Sequence, residues 1–177
     1  MVRLYYQTVK AGGDSALAAH ALLEHMLDIA PDALQYDGAG RPFVPGGPCV
    51  SLSHTREAAA VAVSGTPVGV DVEKIRPIRP GLARRVMSEP EYRWFLSQGQ
   101  KSEDFFTLWT LKESYYKFLG TGLPGFPNGT EFYREGGCWQ LRGADHRFWV
   151  IRKKELLIAL CSDEQQVQQM DFSESSD

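Results

Sequence analysis

Gly69-Val70-Asp71-Val72-Glu73-Lys74, and the stretch Trp109-Thr110-Leu111-Lys112-Glu113-Ser114-Tyr115-Tyr116-Lys117 about forty positions later, decide how this chain is to be read. On a strand, Asp71 and Glu73 share a face roughly 6–7 Å apart, because each residue rises about 3.3 Å. Val70 and Val72 then point the other way, into a core. Two carboxylates held that close repel each other unless a cation lies between them, and Mg²⁺ with oxygen ligands is the natural candidate. Taken alone, an acidic strand edge facing solvent is the simpler reading. The second stretch predicts a helix whose one face carries Trp109, Glu113 and Lys117 at four-residue intervals, with Lys112 beside them. A core tryptophan next to a surface Glu–Lys pair worth about 0.3 kcal/mol has the same pattern. Yet Glu113 is the third carboxylate that a metal site on Asp71 and Glu73 lacks, and Lys117 lies one turn on, where it could hold phosphate oxygens.

Working outward, Ser51-Leu52-Ser53-His54 closes a strand just after the Gly/Pro-rich segment 38–48, and Gly40-Arg41-Pro42 places a cation on that loop. A lone histidine is most often structural, so each element is weak by itself. Together they assemble three acids and several cations, the ingredients of a magnesium–diphosphate site. The surrounding pattern is mixed. A strand is expected over Val2–Val9, and a helix capped by Asp14 runs to about Ile29. A hairpin follows at Cys49–His54 and Ala58–Ser64, then a strand at Val68–Val72. Short helices follow Pro77, the second with a Ser88/Glu91 capping box, and a long helix spans about Ser102–Leu119 with Gly120 just beyond it. Strands are expected at Thr130–Tyr133, Trp139–Arg142, Phe148–Ile151 and Leu156–Cys161. This order predicts an α+β fold of two lobes, residues 1–66 and 67–161, and a polar acidic tail over 162–177 that frays.

Composition narrows the classes. The chain has 177 residues, with 19 Lys plus Arg against 22 Asp plus Glu, for a net charge of −3. That balance disfavours a protein built to hold nucleic-acid phosphates. Cys49, Cys138 and Cys161 form no C-x-x-C pair, and His20, His25, His54 and His146 stand at no ligand spacing to them, so reduced thiols in a cytoplasmic protein are expected rather than disulfides or zinc. The longest apolar runs are strand-sized, and neither a membrane span nor a signal peptide is expected.

With these residues in hand, the chain resembles the 4′-phosphopantetheinyl transferases of the surfactin-synthetase-activator type. That family carries Gly-Ile-Asp-Ile-Glu and, about forty residues later, Trp-Ser/Thr-x-Lys-Glu-Ser/Ala-x-x-Lys, which stand here at 69–74 and 109–117. The resemblance extends to GRPFVP near Arg41, SLSHT at 51–55, Ser-x-x-Glu-Tyr at 88–92 and GTGL at 120–123, and covers about residues 38–161. It implies two similar α/β lobes in a pseudo-dimeric monomer with the active site in the cleft between them. It also implies holo-[acyl-carrier-protein] synthase chemistry: the 4′-phosphopantetheine of coenzyme A passes to a carrier-protein serine, releasing 3′,5′-adenosine bisphosphate. Asp71, Glu73 and Glu113 would hold Mg²⁺ (or Mn²⁺), and Glu113 would be the general base. Lys117 would neutralise the diphosphate and assist the leaving group. Arg41, Ser53 and His54 would meet coenzyme A, and Lys112 would be a secondary phosphate contact of coenzyme A or a structural one.

The implied carrier is acidic, and Lys74, Arg76, Arg79, Arg84 and Arg85, with no acid among them between 74 and 87, could steer it. A solvated helix face is the equal alternative. The segment before Gly38 has only Arg3 and Lys10 as cations, so the family's N-terminal basic contacts to the 3′-phosphate are not evident; Arg41, His54 and Arg56 are the candidates to compensate. A carrier-binding module without catalysis is the rival reading, and a magnesium-dependent nucleotide hydrolase is a third.

Overall fold

Two segments are apolar or small at every position, and the fold is organised around them. They are β5 (Ala58–Ser64) and β10 (Leu156–Ser162), buried along their whole length in the computed structural model, which describes residues 1–122 and 127–172. A strand covered on both faces needs no alternation of polar and apolar residues, and each of these two is internal to its own sheet. The first sheet has the order β11–β1–β5–β4, with β1 at Val2–Thr8, β4 at Cys49–His54 and β11 at Val167–Asp171. Its strands are antiparallel except for β11, which runs parallel to β1. The second sheet, β6–β10–β9, is antiparallel throughout, with β6 at Val68–Lys74 and β9 at Arg147–Lys153. Two small hairpins, β2–β3 (Gln35–Tyr36, Pro42–Phe43) and β7–β8 (Phe132–Glu135, Cys138–Leu141), complete the strands.

The period of two along each strand sorts side chains between layers. Val2, Leu4 and Tyr6 of β1 and Ala58, Ala60 and Ala62 of β5 meet Val68, Val70 and Val72 of β6 and Leu156, Ile158 and Leu160 of β10, so the sheets pack face to face. On the outer face of the first sheet lies α1 (Ser15–Leu27), burying Ala19, Leu22 and Leu23 against Tyr5, Val61 and Val63. On the outer face of the second lies α4 (Ser102–Leu119), burying Phe105, Leu108, Leu111 and Phe118 against Leu157, Ala159 and Cys161. The result is a mixed α+β architecture layered helix, sheet, sheet, helix. Two shorter helices, α2 (Leu82–Val86) and α3 (Glu89–Ser97), add Val86 and Phe95 to the core beneath α4.

Local chemistry sets the helix ends. Asp14 accepts from the Ala16 and Leu17 amides at the start of α1, Ser88 and Glu91 form a reciprocal capping box on α3, and Gly120 ends α4 at φ +70°. One glycine sets how close two elements come. A Cβ on Gly69 would lie 1.9 Å from the Ser114 carbonyl oxygen and 2.4 Å from the Phe118 amide nitrogen, so α4 rests directly on the backbone of β6.

The expectation of a frayed tail is corrected. Residues 167–171 form β11, flanked by a bond from the Val2 amide to the Gln166 carbonyl (2.9 Å) and one from the Phe172 amide to the Tyr6 carbonyl (2.9 Å). The Phe172 ring stacks on Tyr5 at 5.5 Å between centroids. The strand is polar because it is an edge exposed on most of its surface, and main-chain bonds hold it with little apolar burial. Residues 173–177 of that tail, and Leu123 of the GTGL segment, lie outside the described residues.

Candidate active site

The cleft forms where the edge of the first sheet, β4, meets the edge of the second, β6. These edges share no ladder and are stitched by serines. Ser51 Oγ accepts from the Val70 amide (3.0 Å), and Ser53 Oγ accepts from the Val72 amide (3.2 Å) while donating to Asp71 Oδ1 (2.8 Å). Two backbone donors that a sheet edge would leave open are thereby satisfied. The same bonds turn the Asp71 carboxylate toward the cleft.

A cavity of about 260 Å³ lies there, lined by Ser53, His54, Asp71, Glu73, Trp109, Glu113 and Lys117. Six of the eight residues singled out in the sequence therefore share one space. Arg41 lines an adjoining cavity of about 180 Å³, which shares Leu52 and Lys117 with the first and places the guanidinium against Gly120. On the other side a cavity of about 480 Å³ shares His54 and Glu73 and brings in Arg56, Lys74 and Arg76. The three form one trough along β4.

Lys112 does not belong to the trough, and its expected contact with coenzyme A is corrected. Its side chain is 0% exposed and ion-paired with Glu91 Oε2 at 2.7 Å. It also donates to the Pro127 and Thr130 carbonyls at 2.9 and 2.6 Å, so all three donors are used. Burial pulls its pKa down, and Glu91 pulls it back up. Glu91 in turn accepts from the Ser88 and Phe132 amides. Lys112 is thus an internal strut joining α4 to α3 and the 127–132 segment. Ser53 is likewise buried with its hydroxyl committed to Asp71, so it orients a carboxylate rather than facing the trough as a free donor.

The three acids are held differently. Asp71 Oδ1 accepts from Lys117 Nζ at 2.8 Å as well as from Ser53, while its Oδ2 is buried without a partner. Glu73 Oε1 accepts from the Trp109 indole at 3.1 Å, and its Oε2 from Arg76 at 2.8 Å. Burial pushes the Glu113 carboxyl up to about 7; Asp71 and Glu73 add to that and Lys117 opposes it. Among the described residues, no three carboxylate, imidazole or thiolate groups converge on a single point. The donor set nonetheless fits a hard divalent cation: three carboxylates, one carrying an orphaned buried oxygen, are the ligands that Mg²⁺ or Mn²⁺ takes.

Three contacts escaped the sequence reading. Trp109 was legible as sharing a face with Glu113, but its bond to Glu73 depends on how α4 lies on β6. Arg76 on Glu73, and Ser15 Oγ at 3.2 Å from His54 Nδ1, join residues whose meeting no local pattern announces. His54 itself is exposed, with its Nε2 edge unclaimed by that bond.

Residues 67–161 match the family model of the 4′-phosphopantetheinyl transferase superfamily. The chain is 42% identical over 86 residues to a 4′-phosphopantetheinyl transferase of Aneurinibacillus migulanus, covering 48% of this chain and 36% of that protein. It is 37% identical over 136 residues to one of Bacillus pumilus, covering 73% of this chain and 58% of that protein. The crystal structure of Thermotoga maritima holo-[acyl-carrier-protein] synthase matches with a TM-score of 0.48 and 28% identity, over 54% of this chain and 61% of that chain. The chain spans about half the length of the curated relatives it matches.

Proposed function

The chain belongs to the 4′-phosphopantetheinyl transferase superfamily, and from that premise we propose that it transfers 4′-phosphopantetheine from coenzyme A to a serine of a carrier protein. The observation that carries this reading is the convergence of Asp71, Glu73, Glu113 and Lys117, from two separate motifs, on one cavity midway along a trough. A long substrate with a diphosphate at its middle needs such a site: room on both sides of a central group of acids and cations.

A divalent cation held by Asp71, Glu73 and Glu113 would supply neutralising charge to the diphosphate. The chain's own residues do the rest. Lys117 neutralises diphosphate oxygens and supports the leaving group. His54 and Arg41, on either side of the centre, meet coenzyme phosphates. Glu113 takes the proton of the attacking serine, directly or through a water. A carboxylate that also holds a divalent cation stays ionised, so its use as a base would rest on placement beside the serine and on the cation acidifying that hydroxyl. The serine oxygen–phosphorus bond forms as the bridging phosphorus–oxygen bond of the diphosphate breaks, and 3′,5′-adenosine bisphosphate leaves.

An acidic carrier would approach the third cavity and the basic segment beyond it. That segment is less positive than its sequence suggests. Lys74 is paired with Glu57 and Glu155, Arg76 with Glu73 and Arg84 with Glu89. Steering would therefore be modest and salt-sensitive.

The test is intact-protein mass spectrometry of apo acyl and peptidyl carrier proteins incubated with this chain, coenzyme A and Mg²⁺. A gain of one phosphopantetheine, abolished by chelator, is expected. No gain, together with no coenzyme A binding by calorimetry, would favour the carrier-binding module without catalysis.

A further inference from the structure

Glu73 enters the cleft with both carboxylate oxygens engaged. Trp109 Nε1 donates to Oε1 at 3.1 Å, and Arg76 Nη1 donates to Oε2 at 2.8 Å. The two partners differ in kind. The indole is neutral and can orient the carboxylate whatever else binds it. The guanidinium carries a full charge and occupies one of the two oxygens that a cation could use. Arg76 is also built in place: the same nitrogen donates to the Lys74 carbonyl at 3.0 Å, and the guanidinium lies over the Phe106 ring at 4.6 Å. Its side chain is 54% exposed against 18% for Glu73, so it closes the cleft from the solvent side.

We propose that Arg76 is a positioning residue of this centre, a resident counter-charge that competes with a divalent cation for Glu73 and keeps the chain's affinity for the ion alone low. Two effects act with the same sign. Coordination by Oε2 requires the guanidinium to give way, and a single positive charge a few ångströms from a double one is repulsive even in water. The centre is thereby set to take its cation together with an anion that offsets the excess positive charge, as a diphosphate does. The inference rests on the assignment of Asp71, Glu73 and Glu113 as the cation's ligands.

The test is binding of Mn²⁺ alone, followed by calorimetry and by the paramagnetic resonance of the free ion, with no coenzyme and no carrier. Arg76→Gln is expected to bind roughly tenfold more tightly than wild type. Arg76→Lys, which keeps a cation near Glu73, should stay within about twofold of wild type, by the same charge argument. Far-ultraviolet circular dichroism and the thermal midpoint report that each variant is folded. Equal or weaker binding by folded Arg76→Gln overturns the inference, as does tightening by Arg76→Lys to the same degree, or no binding by any of the three. Asp71→Asn separates this failure from failure of the ligand assignment: if wild-type binding is lost in that variant, the assignment stands; if binding persists unchanged, both fall.

Discussion

Lys112 and Lys117 stand five residues apart on one helix and have opposite fates. Lys117 reaches the cleft and sits 31% exposed on Asp71. Lys112 is sealed inside and spends every donor on Glu91 and two carbonyls. Removing one member of such a buried pair leaves an uncompensated charge at a cost of roughly 3–5 kcal/mol, so the motif lysine beside Glu113 supports the fold, whereas Lys117 is left facing the cavity. At Glu113 itself burial has a measurable consequence. Its carboxyl is raised from 4.5 to about 7, so the folded chain binds that proton more tightly than the unfolded one. The associated stability is complete below about pH 4.5 and is lost as the pH rises through 7. Glu113→Gln, a neutral isostere, escapes that loss. With chelator present, urea unfolding should show the variant on the order of 2 kcal/mol more stable than wild type at pH 8, allowing for partial exposure, and the gap should close below pH 5. The same variant should transfer no phosphopantetheine. A constant gap across pH would remove the burial account of Glu113.

Between elements, the contact that matters most is α4 on β6. It lies so close that Gly69 has room only for hydrogen, with main-chain atoms of α4 as the obstruction. No rotamer change can relieve such a clash; the helix must lift. Gly69→Ala should therefore destabilise the chain by roughly 3 kcal/mol. Because Glu113 and Lys117 ride on α4 while Asp71 and Glu73 ride on β6, kcat should fall further than coenzyme A binding. A thermal midpoint within a degree of wild type, with full turnover, would show that the helix is not held where the structure has it. Glycine inside an apolar strand was the available signal for this contact, since a strand interior gains nothing from a missing side chain unless another backbone approaches.

Across the whole molecule, the site and the tail occupy opposite ends of the first sheet, β4 at one edge and β11 at the other. Truncation after Glu164 removes β11 and Phe172 and bares the edge of β1. It should cost roughly 2–3 kcal/mol in urea unfolding and promote self-association through the open edge, seen by sedimentation. Coenzyme A binding per folded molecule should be unchanged. A truncated chain as stable as wild type would mean that the β1–β11 pairing contributes little.

Covalent spacing along one element was enough to read Ala58–Ser64 and Cys49–His54 as strands, the capped helices, and the shared faces of Asp71 with Glu73 and of Glu113 with Lys117. Positions two apart on a strand or four apart on a helix share a face whatever surrounds them. The resemblance carried on those same residues joined the two motifs into one site before any fold was known. Tertiary structure alone decided which partners the charges take: Lys117 and Ser53 on Asp71, Trp109 and Arg76 on Glu73, Glu91 on Lys112. It also made a strand of the polar segment 167–171, whose order comes from main-chain bonds to β1. These choices depend on distances between separate elements, which packing sets through the sheet-to-sheet core and the seat of α4 at Gly69. No local period encodes those distances.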